Sequence, residues 1–154
     1  MACRTNARSL IPDEANVGGL KMIKQLRVKT QLRTDLIDIT QGVQRIVSES
    51  GVRSGICYIH VPHTTAAITI NENSDPNVGR DILKELNQII PFDNHYSHME
   101  GNSAAHIKSS IIGVSMALMV EEGRIALGTW QAVFFCEFDG PRDRRVLVKV
   151  TADD

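Results

Sequence analysis

The chain has 154 residues, of which 42% are hydrophobic and 23% charged, as is typical of one compact globular domain. Its 17 Lys and Arg residues balance 18 Asp and Glu residues and are scattered along the sequence, which argues against nucleic-acid binding. The longest strongly apolar stretch, residues 109–120, falls short of the roughly 20 residues that a membrane-spanning helix needs, so we expect no membrane partner.

The N-terminal segment differs in pattern from the rest of the chain. Residues 1–21 show no hydrophobic periodicity and no apolar signal-peptide core, and regular patterning begins at the second methionine, Met22. We therefore predict an N-terminal extension over residues 1–21 and a single domain over residues 22–154. A cytoplasmic location is the simplest expectation.

The first predicted elements are two strands and a helix. Alternating apolar and polar residues predict a half-exposed strand over 23–33, and a short strand follows near 36–39. Thr40 is a suitable N-cap and Gly51 a suitable stop, which delimit a predicted amphipathic helix over 41–50.

A central pair of strands is predicted next. The stretch 55–61 is apolar on both faces and ends at Pro62, as in a buried strand, and a second strand is predicted over 66–71. His60 lies within the first of these strands, so we expect a hydrogen-bonded interior histidine at that position rather than a ligand.

Two further helices flank a polar loop. Asp75-Pro76 starts a helix that ends before Pro91, because Asp caps free N–H groups and proline is tolerated at the first helical position. Residues 92–101 form a His-rich loop, and Asn102 or Ser103 can cap a helix that ends at Ile112.

The C-terminal part is predicted to be β structure. Apolar or alternating runs at 114–120, 125–127, 129–138 and 144–150 predict an antiparallel meander. Together the elements predict an α+β fold in which two mostly antiparallel sheets pack on each other, as in a β-sandwich, with two or three helices.

Three histidines are candidate ligands or site residues. His63 follows a strand end beside two threonine hydroxyls, and a loop that turns back before the third helix could bring His98 beside His106. Three imidazoles with one open position are typical of a catalytic metal site, for which we expect zinc. Surface or capping histidines are an equally good interpretation of this spacing.

Carboxylates and one amide are the candidates for catalysis. Glu72 ends a strand and is free for acid–base work, metal ligation or an ion pair, while Gln131 and Glu137 share one face of a predicted strand. Glu137 lies among phenylalanines and requires hydrogen bonds or a cation, for which Arg142, Arg144 and Arg145 are candidates. A structural ion pair and a substrate contact are both compatible with this environment.

Hydroxyl and basic residues could bind a phosphorylated small molecule. Hydroxyls, a helix start and fixed positive charge suit an oxyanion, and the candidates are Thr64, Thr65, Lys108, Ser109, Ser110 and Arg142. The sequence contains neither of the familiar glycine-rich nucleotide-binding loops.

Five separated strings occur in an order that resembles one known family, the YjbQ-like proteins. They are HTTAA at 63–67, NEN at 71–73, GNSAAHIKSS at 101–110, LGTWQ at 127–131 and EFDGPR at 137–142, and the resemblance extends from about Met22 to Val150.

The resemblance implies a homotrimer and a secondary thiamine-phosphate synthase activity, which joins a pyrimidine pyrophosphate to a thiazole phosphate. It also implies that the histidine positions are His63, His98 and His106, and that polar pocket residues are Glu72, Asn102, Gln131, Glu137 and Arg142.

Two principal interpretations and one variant follow. The first is an enzyme that holds a phosphorylated substrate at a histidine site, with or without a metal, beside Glu72 or Glu137. The second is a trimeric module that binds a metabolite or metal without catalysis. A third interpretation, metal-assisted hydrolysis of a phosphate ester, requires the same ligands with a bound water.

Overall fold

The computed structural model describes residues 23–153, so the predicted extension over residues 1–21 lies outside the described residues. Within this range no helix is long and apolar enough to cross a membrane. The elements in chain order are β1 (Lys24–Lys29), β2 (Asp35–Asp38), α1 (Thr40–Ser50), β3 (Gly55–His60), β4 (Ala66–Glu72), α2 (Pro76–Ile89), α3 (Ser103–Ile112), β5 (Ser115–Glu121), β6 (Arg124–Ile125), β7 (Gln131–Glu137) and β8 (Asp143–Ala152).

The strands form two antiparallel sheets, as predicted for an α+β fold. Sheet A has the order β1-β8-β3-β5-β6 and sheet B has the order β2-β7-β4. The predicted meander of the C-terminal strands is wrong, because β7 pairs with β2 and β4 in sheet B while β6 and β8 belong to sheet A.

Burial explains why β7 belongs to sheet B and not to a C-terminal meander. Residues 132–137 are all buried, so neither face of this strand meets solvent. Phe135 packs in the core between the two sheets, whereas Cys136 packs in a second cluster with Phe138 and with residues of α2 and α3. Sheet B is therefore the middle layer of the molecule, between sheet A on one side and α2 and α3 on the other.

The helix starts follow local capping chemistry in one case and tertiary contacts in the other. Asp75 caps α2 by accepting the N–H of Asn77, with Pro76 at the first position, as predicted. Thr40 is not the cap of α1, which begins after Ile39. The Thr40 hydroxyl instead accepts the backbone N–H of Val133, and so ties α1 to sheet B.

His60 is not an interior residue, contrary to the sequence prediction. Along β3 the buried positions are Gly55, Cys57 and Ile59, and the intervening residues Tyr58 and His60 are exposed on the outer face of sheet A. His60 Nδ1 lies 2.7 Å from the Ser115 hydroxyl. The prediction failed because apolar residues also occupy part of the outer face.

Candidate functional site

A cavity of about 570 Å³ opens where three connecting segments meet, and we call it the histidine pocket. The segments are the β3–β4 connection, the start of α3 and the crossover from β7 to β8. Its walls consist of polar and charged side chains with a few apolar ones, namely His60, Val61, Pro62, His63, Thr64, Thr65, Glu100, Asn102, His106, Val114, Asp139, Arg142 and Arg144.

A buried ion pair supports the floor of the pocket. Glu137 is fully buried and forms a two-pronged salt bridge with Arg144, whose Nε lies 2.8 Å from Glu137 Oε2. Arg144 also donates to the Thr65 hydroxyl at 2.9 Å, and the Thr30 hydroxyl donates to Glu137 Oε2 at 2.9 Å. Because Glu137 is in sheet B and Arg144 is in sheet A, the pair joins the two sheets at this end.

The Glu137 carboxylate is saturated with hydrogen bonds. Besides Arg144 and Thr30, it accepts the backbone N–H groups of Phe138 at 3.0 Å and Asp139 at 2.9 Å. Burial by itself would raise the pKa of Glu137, but the hydrogen bonds from Arg144 and the Asp139 N–H outweigh it and hold the pKa below the usual range. Glu137 therefore positions neighbouring residues and leaves no lone pair for a substrate.

Asp139 connects the crossover to α3. Its Oδ2 accepts hydrogen bonds from Asn102 Nδ2 at 3.0 Å and from Arg142 at 2.7 Å, and the Arg142 Nε donates to the Asp139 carbonyl oxygen. Burial opposes ionisation of this carboxyl, but the bonds from Asn102 and Arg142 hold its pKa below the usual range. Asp139 therefore fixes the orientation of both side chains at the pocket wall.

The side-chain oxygen of Asn102 accepts no hydrogen bond from the described residues. Asn102 directly precedes α3 but makes no side-chain capping bond, since its amide group donates to Asp139. Its Oδ1 is buried and has no hydrogen-bond partner among residues 23–153. Because a buried carbonyl oxygen without a donor is costly, this atom marks a place where a ligand or water hydrogen-bond donor fits.

His63 is placed as a neutral hydrogen-bond donor. Its Nε2 accepts the backbone N–H of Arg145 at 3.1 Å, so the ring proton of the neutral form resides on Nδ1. Burial and the nearby charge of Arg144 lower the pKa of His63, which keeps the ring neutral at pH 7. With Nε2 occupied and Nδ1 protonated, His63 as placed has no free lone pair for a metal.

The other two predicted metal ligands lie together. The ring centroids of His98 and His106 are 5.4 Å apart with the rings nearly perpendicular, and His106 lines the histidine pocket. His98 Nε2 lies 3.8 Å from Glu100 Oε2. Over the described range no three His, Cys, Asp or Glu side chains are grouped closely enough to hold a metal ion, so one chain as placed does not present the expected three-histidine set.

Two of the three predicted catalytic residues lie at the opposite end of sheet B. Glu72 and Gln131 face each other at the far ends of β4 and β7, whereas Glu137 faces Ala66 at the near ends. Six residue steps along a strand correspond to about 20 Å. Glu72 lines a separate groove with three aspartates, and Gln131 accepts the Gly128 N–H, so neither contacts the histidine pocket.

The three predicted substrate-binding residues on α3 do not line the histidine pocket, and each makes a hydrogen bond outside it. Lys108 is fully buried, donates to Asn87 Oδ1 at 2.6 Å and lies 4.0 Å from the centre of the Phe92 ring. The Ser109 hydroxyl donates to the Ala66 carbonyl oxygen, and Ser110 donates to a backbone carbonyl of its own helix.

Four predicted substrate-binding residues do line the histidine pocket, and they are Thr64, Thr65, Asn102 and Arg142. Asp139 and Arg144 also line the pocket; the sequence pattern did not mark Asp139 as a site residue and predicted Arg144 only as a candidate ion-pair partner of Glu137. The EFDGPR string contained a signal for Asp139, because an aspartate three residues before an arginine can bind it across a turn.

Comparison with known proteins gives consistent matches over most of the chain. The model of a protein family described as "UPF0047 protein YjbQ-like" matches residues 24–153. UPF0047 protein YugU of Bacillus subtilis is 50% identical over 130 residues, which cover 84% of this chain and 98% of that protein. UPF0047 protein MJ1081 of Methanocaldococcus jannaschii is 50% identical over 134 residues, covering 87% and 97%.

Solved structures show the same fold. A YjbQ/UPF0047 family protein from Clostridium acetobutylicum is 51% identical, with a TM-score of 0.82 over 83% of this chain and 99% of that one. A protein of unknown function from Sulfolobus solfataricus is 34% identical with the same TM-score, over 86% of this chain and 97% of that one.

Proposed function

The chain belongs to the UPF0047 YjbQ-like family, and from this premise and the pocket geometry we propose that it is an enzyme acting on a small phosphorylated molecule. The observation that carries the proposal is the composition of the histidine pocket. Its walls hold cationic and N–H donors from Arg142, Arg144 and His63, and beside them the buried acceptor of Asn102, which has no partner in the described part of the chain.

The donors fit a phosphoryl group. Arg142 uses Nε and one hydrogen of Nη2 for Asp139, so its remaining N–H groups are available to an oxyanion, and its side chain is half exposed to the pocket opening. His63 offers Nδ1–H, and Thr64 is exposed at the rim. Asn102 Oδ1 then accepts a hydroxyl or N–H group of the same ligand, so the ligand is a phosphorylated molecule that also carries a hydroxyl or N–H donor.

The same groups can stabilise the transition state of a reaction. A leaving phosphate or pyrophosphate gains negative charge, which Arg142, Arg144 and His63 stabilise from fixed positions. His106 is a group at the pocket wall suited to proton transfer, since imidazole is the commonest general acid or base. Thiamine-phosphate synthesis, in which pyrophosphate leaves one substrate, is one reaction of this class.

The test compares two histidine variants on a panel of phosphorylated substrates. The panel contains sugar phosphates, nucleotides, and a pyrimidine pyrophosphate with a thiazole phosphate, and the assay measures release of phosphate or pyrophosphate. General acid–base catalysis contributes roughly 10²–10⁴-fold, so His106→Asn should lower kcat at least about 100-fold. His95→Asn is the matched control, because His95 is exposed and lies outside the pocket. Unchanged kcat in His106→Asn would refute the role assigned to His106, and the absence of turnover of every panel member by the wild type would refute the proposed enzyme.

A binding module without catalysis is the second candidate. It is favoured by the saturation of Glu137, whose carboxylate is unavailable as a base, and by the bonds from Asn102 and Arg142 that occupy Oδ2 of Asp139. If no panel member turns over, but phosphorylated compounds bind and Arg142→Gln raises their Kd about tenfold, the chain is a binding protein.

A homotrimer, which the resemblance implies, and a zinc ion, which the chemistry of the histidines suggests, are separate proposals. His98 and His106 would supply two ligands, and a further ligand would come from a neighbouring subunit. About one zinc ion per chain in the purified protein, lost in His98→Asn, would support this. Protein that stays free of metal after zinc addition would refute the zinc proposal without affecting phosphate binding.

A further inference from the structure

A second cavity of about 630 Å³ adjoins the histidine pocket, and we call it the arginine pocket. The two cavities share Pro62, His63 and Arg144. The charged residues that line only the arginine pocket lie on β1 and at the start of β8, and they are Arg27, Lys29, Asp143 and Arg145. His63 therefore forms part of the wall between two cavities that both contain basic side chains.

In the arginine pocket, two like charges lie opposite each other on the neighbouring strands β1 and β8. Arg27 and Arg145 are direct partners in the antiparallel register of β1 and β8, and both are exposed. Lys29 is opposite Asp143. Within residues 23–153, Arg27, Lys29 and Arg145 have no carboxylate within salt-bridge distance. Directly opposed like charges destabilise a sheet, so this arrangement calls for an explanation.

Protection of the sheet edge explains only part of the pattern. β1 is the edge strand of sheet A, and charged residues such as Arg27 and Lys29 prevent an edge from pairing with other chains. Arg145 lies on β8, which is an inner strand with partners on both sides, so edge protection does not account for it. An anion bound between the two guanidinium groups would convert the repulsion into two attractive contacts.

We propose that the arginine pocket is a second anion subsite of the same ligand site, so that the natural ligand carries two anionic groups. This inference rests on the proposed function, because the first anionic group is the phosphoryl group in the histidine pocket. The second group lies against Arg27 and Arg145. His63 holds the subsites in fixed relation, since it lines both and accepts the backbone N–H of Arg145.

The first test uses inorganic phosphate as the probe and amide NMR of the full chain at low ionic strength. Amide signals of Thr64 and Asn102 report the histidine pocket, and those of Arg27 and Arg145 report the arginine pocket. Phosphate should shift both sets. Arg27→Gln should raise the Kd of the arginine pocket about tenfold and change that of the histidine pocket less than about twofold. Arg45→Gln, which removes an exposed charge from α1, is the control and should change neither.

The pattern of responses separates the two proposals. Phosphate binding in the histidine pocket alone overturns the second subsite and leaves the proposed function intact. Binding in the arginine pocket alone overturns the proposed function and the shared ligand with it, and binding in neither overturns both.

The second test asks whether one molecule occupies both subsites. Linear alkyl bisphosphates of two to six carbons are compared with alkyl monophosphates of the same length by calorimetry. At least one bisphosphate should bind tenfold or more tightly than its monophosphate, because the second contact is intramolecular. Arg27→Gln should abolish that difference and Arg45→Gln should preserve it. Equal affinities for every pair in the wild-type protein would overturn the shared ligand.

Discussion

Replacement of Glu137 by Gln tests whether the buried ion pair holds the two sheets together. The substitution keeps the size of the side chain but removes the charge and turns one acceptor oxygen into an NH₂ donor. Oε1 accepts three hydrogen bonds and Oε2 accepts two. In either orientation of the new amide, at least one fixed N–H donor therefore faces the NH₂ group, and the Arg144 side chain, 5% exposed, loses its counter-charge.

The expected cost follows from burial. Loss of one partner from a buried ion pair destabilises proteins by about 3–5 kcal/mol, which is a large part of the ~5–15 kcal/mol by which folded domains are stable. Urea unfolding at pH 7 should show this loss in Glu137→Gln. Glu85→Gln, an exposed position on α2, should stay within about 0.5 kcal/mol of wild type. A loss below about 1 kcal/mol in Glu137→Gln would refute the assigned role of the pair.

The pH dependence provides a second measure of the same pair. The pKa of Glu137 is lower in the folded chain than its ordinary value of 4.5, so the stability due to its ionised form is present above that value. It is lost as the pH falls from 4.5 through the folded pKa. The decrease of unfolding free energy with acid should therefore be smaller in Glu137→Gln than in the wild type.

Two further predictions concern single positions away from the pocket wall. Gly140→Ala should destabilise the fold by several kcal/mol in urea unfolding, because a Cβ there would lie 2.2 Å from the Leu32 carbonyl oxygen. Gly79→Ala in α2 is the control and should stabilise the fold by up to about 1 kcal/mol. Equal effects of the two substitutions would contradict this reasoning. Burial, with a contribution from the charge of Arg33, lowers the pKa of Lys108 to about 8 from 10.5, so wild-type stability should rise between pH 8 and 10.5. Lys108→Met should abolish that rise, and a rise of the same size in the variant would assign it to another group.

The local elements were predictable, but the membership of the sheets was not. Asp75-Pro76 specifies the start of α2 through bonds within three residues, and such signals can be identified in a sequence. The partners of β7 depend on what covers each of its faces. Its phenylalanines predict a buried strand but do not distinguish a neighbour in sheet A from one in sheet B. Thr40 was misassigned for the same reason, since its hydroxyl bonds to a residue 93 positions away.

Distance along an element limited the prediction of the site. Gln131 and Glu137 share a strand face by alternation, yet they are six residue steps apart along β7. On α3, Lys108 follows His106 by two residues, a rotation of about 200° around a helix, so its side chain points away from the pocket that His106 lines. The sequence strings identify residues of the right chemical type, and only the fold determines which of them meet.

The ion pair between Glu137 and Arg144 links ligand binding to folding. Sheet B supplies the carboxylate and sheet A the guanidinium, and the crossover between them carries Asp139 and Arg142. A partly folded chain in which either sheet has formed alone therefore contains no histidine pocket. A ligand of this pocket binds only the fully assembled domain, and by mass action it should raise the free energy of global unfolding by RT ln(1 + [L]/Kd). Binding can then be detected as a gain in stability before any reaction is known.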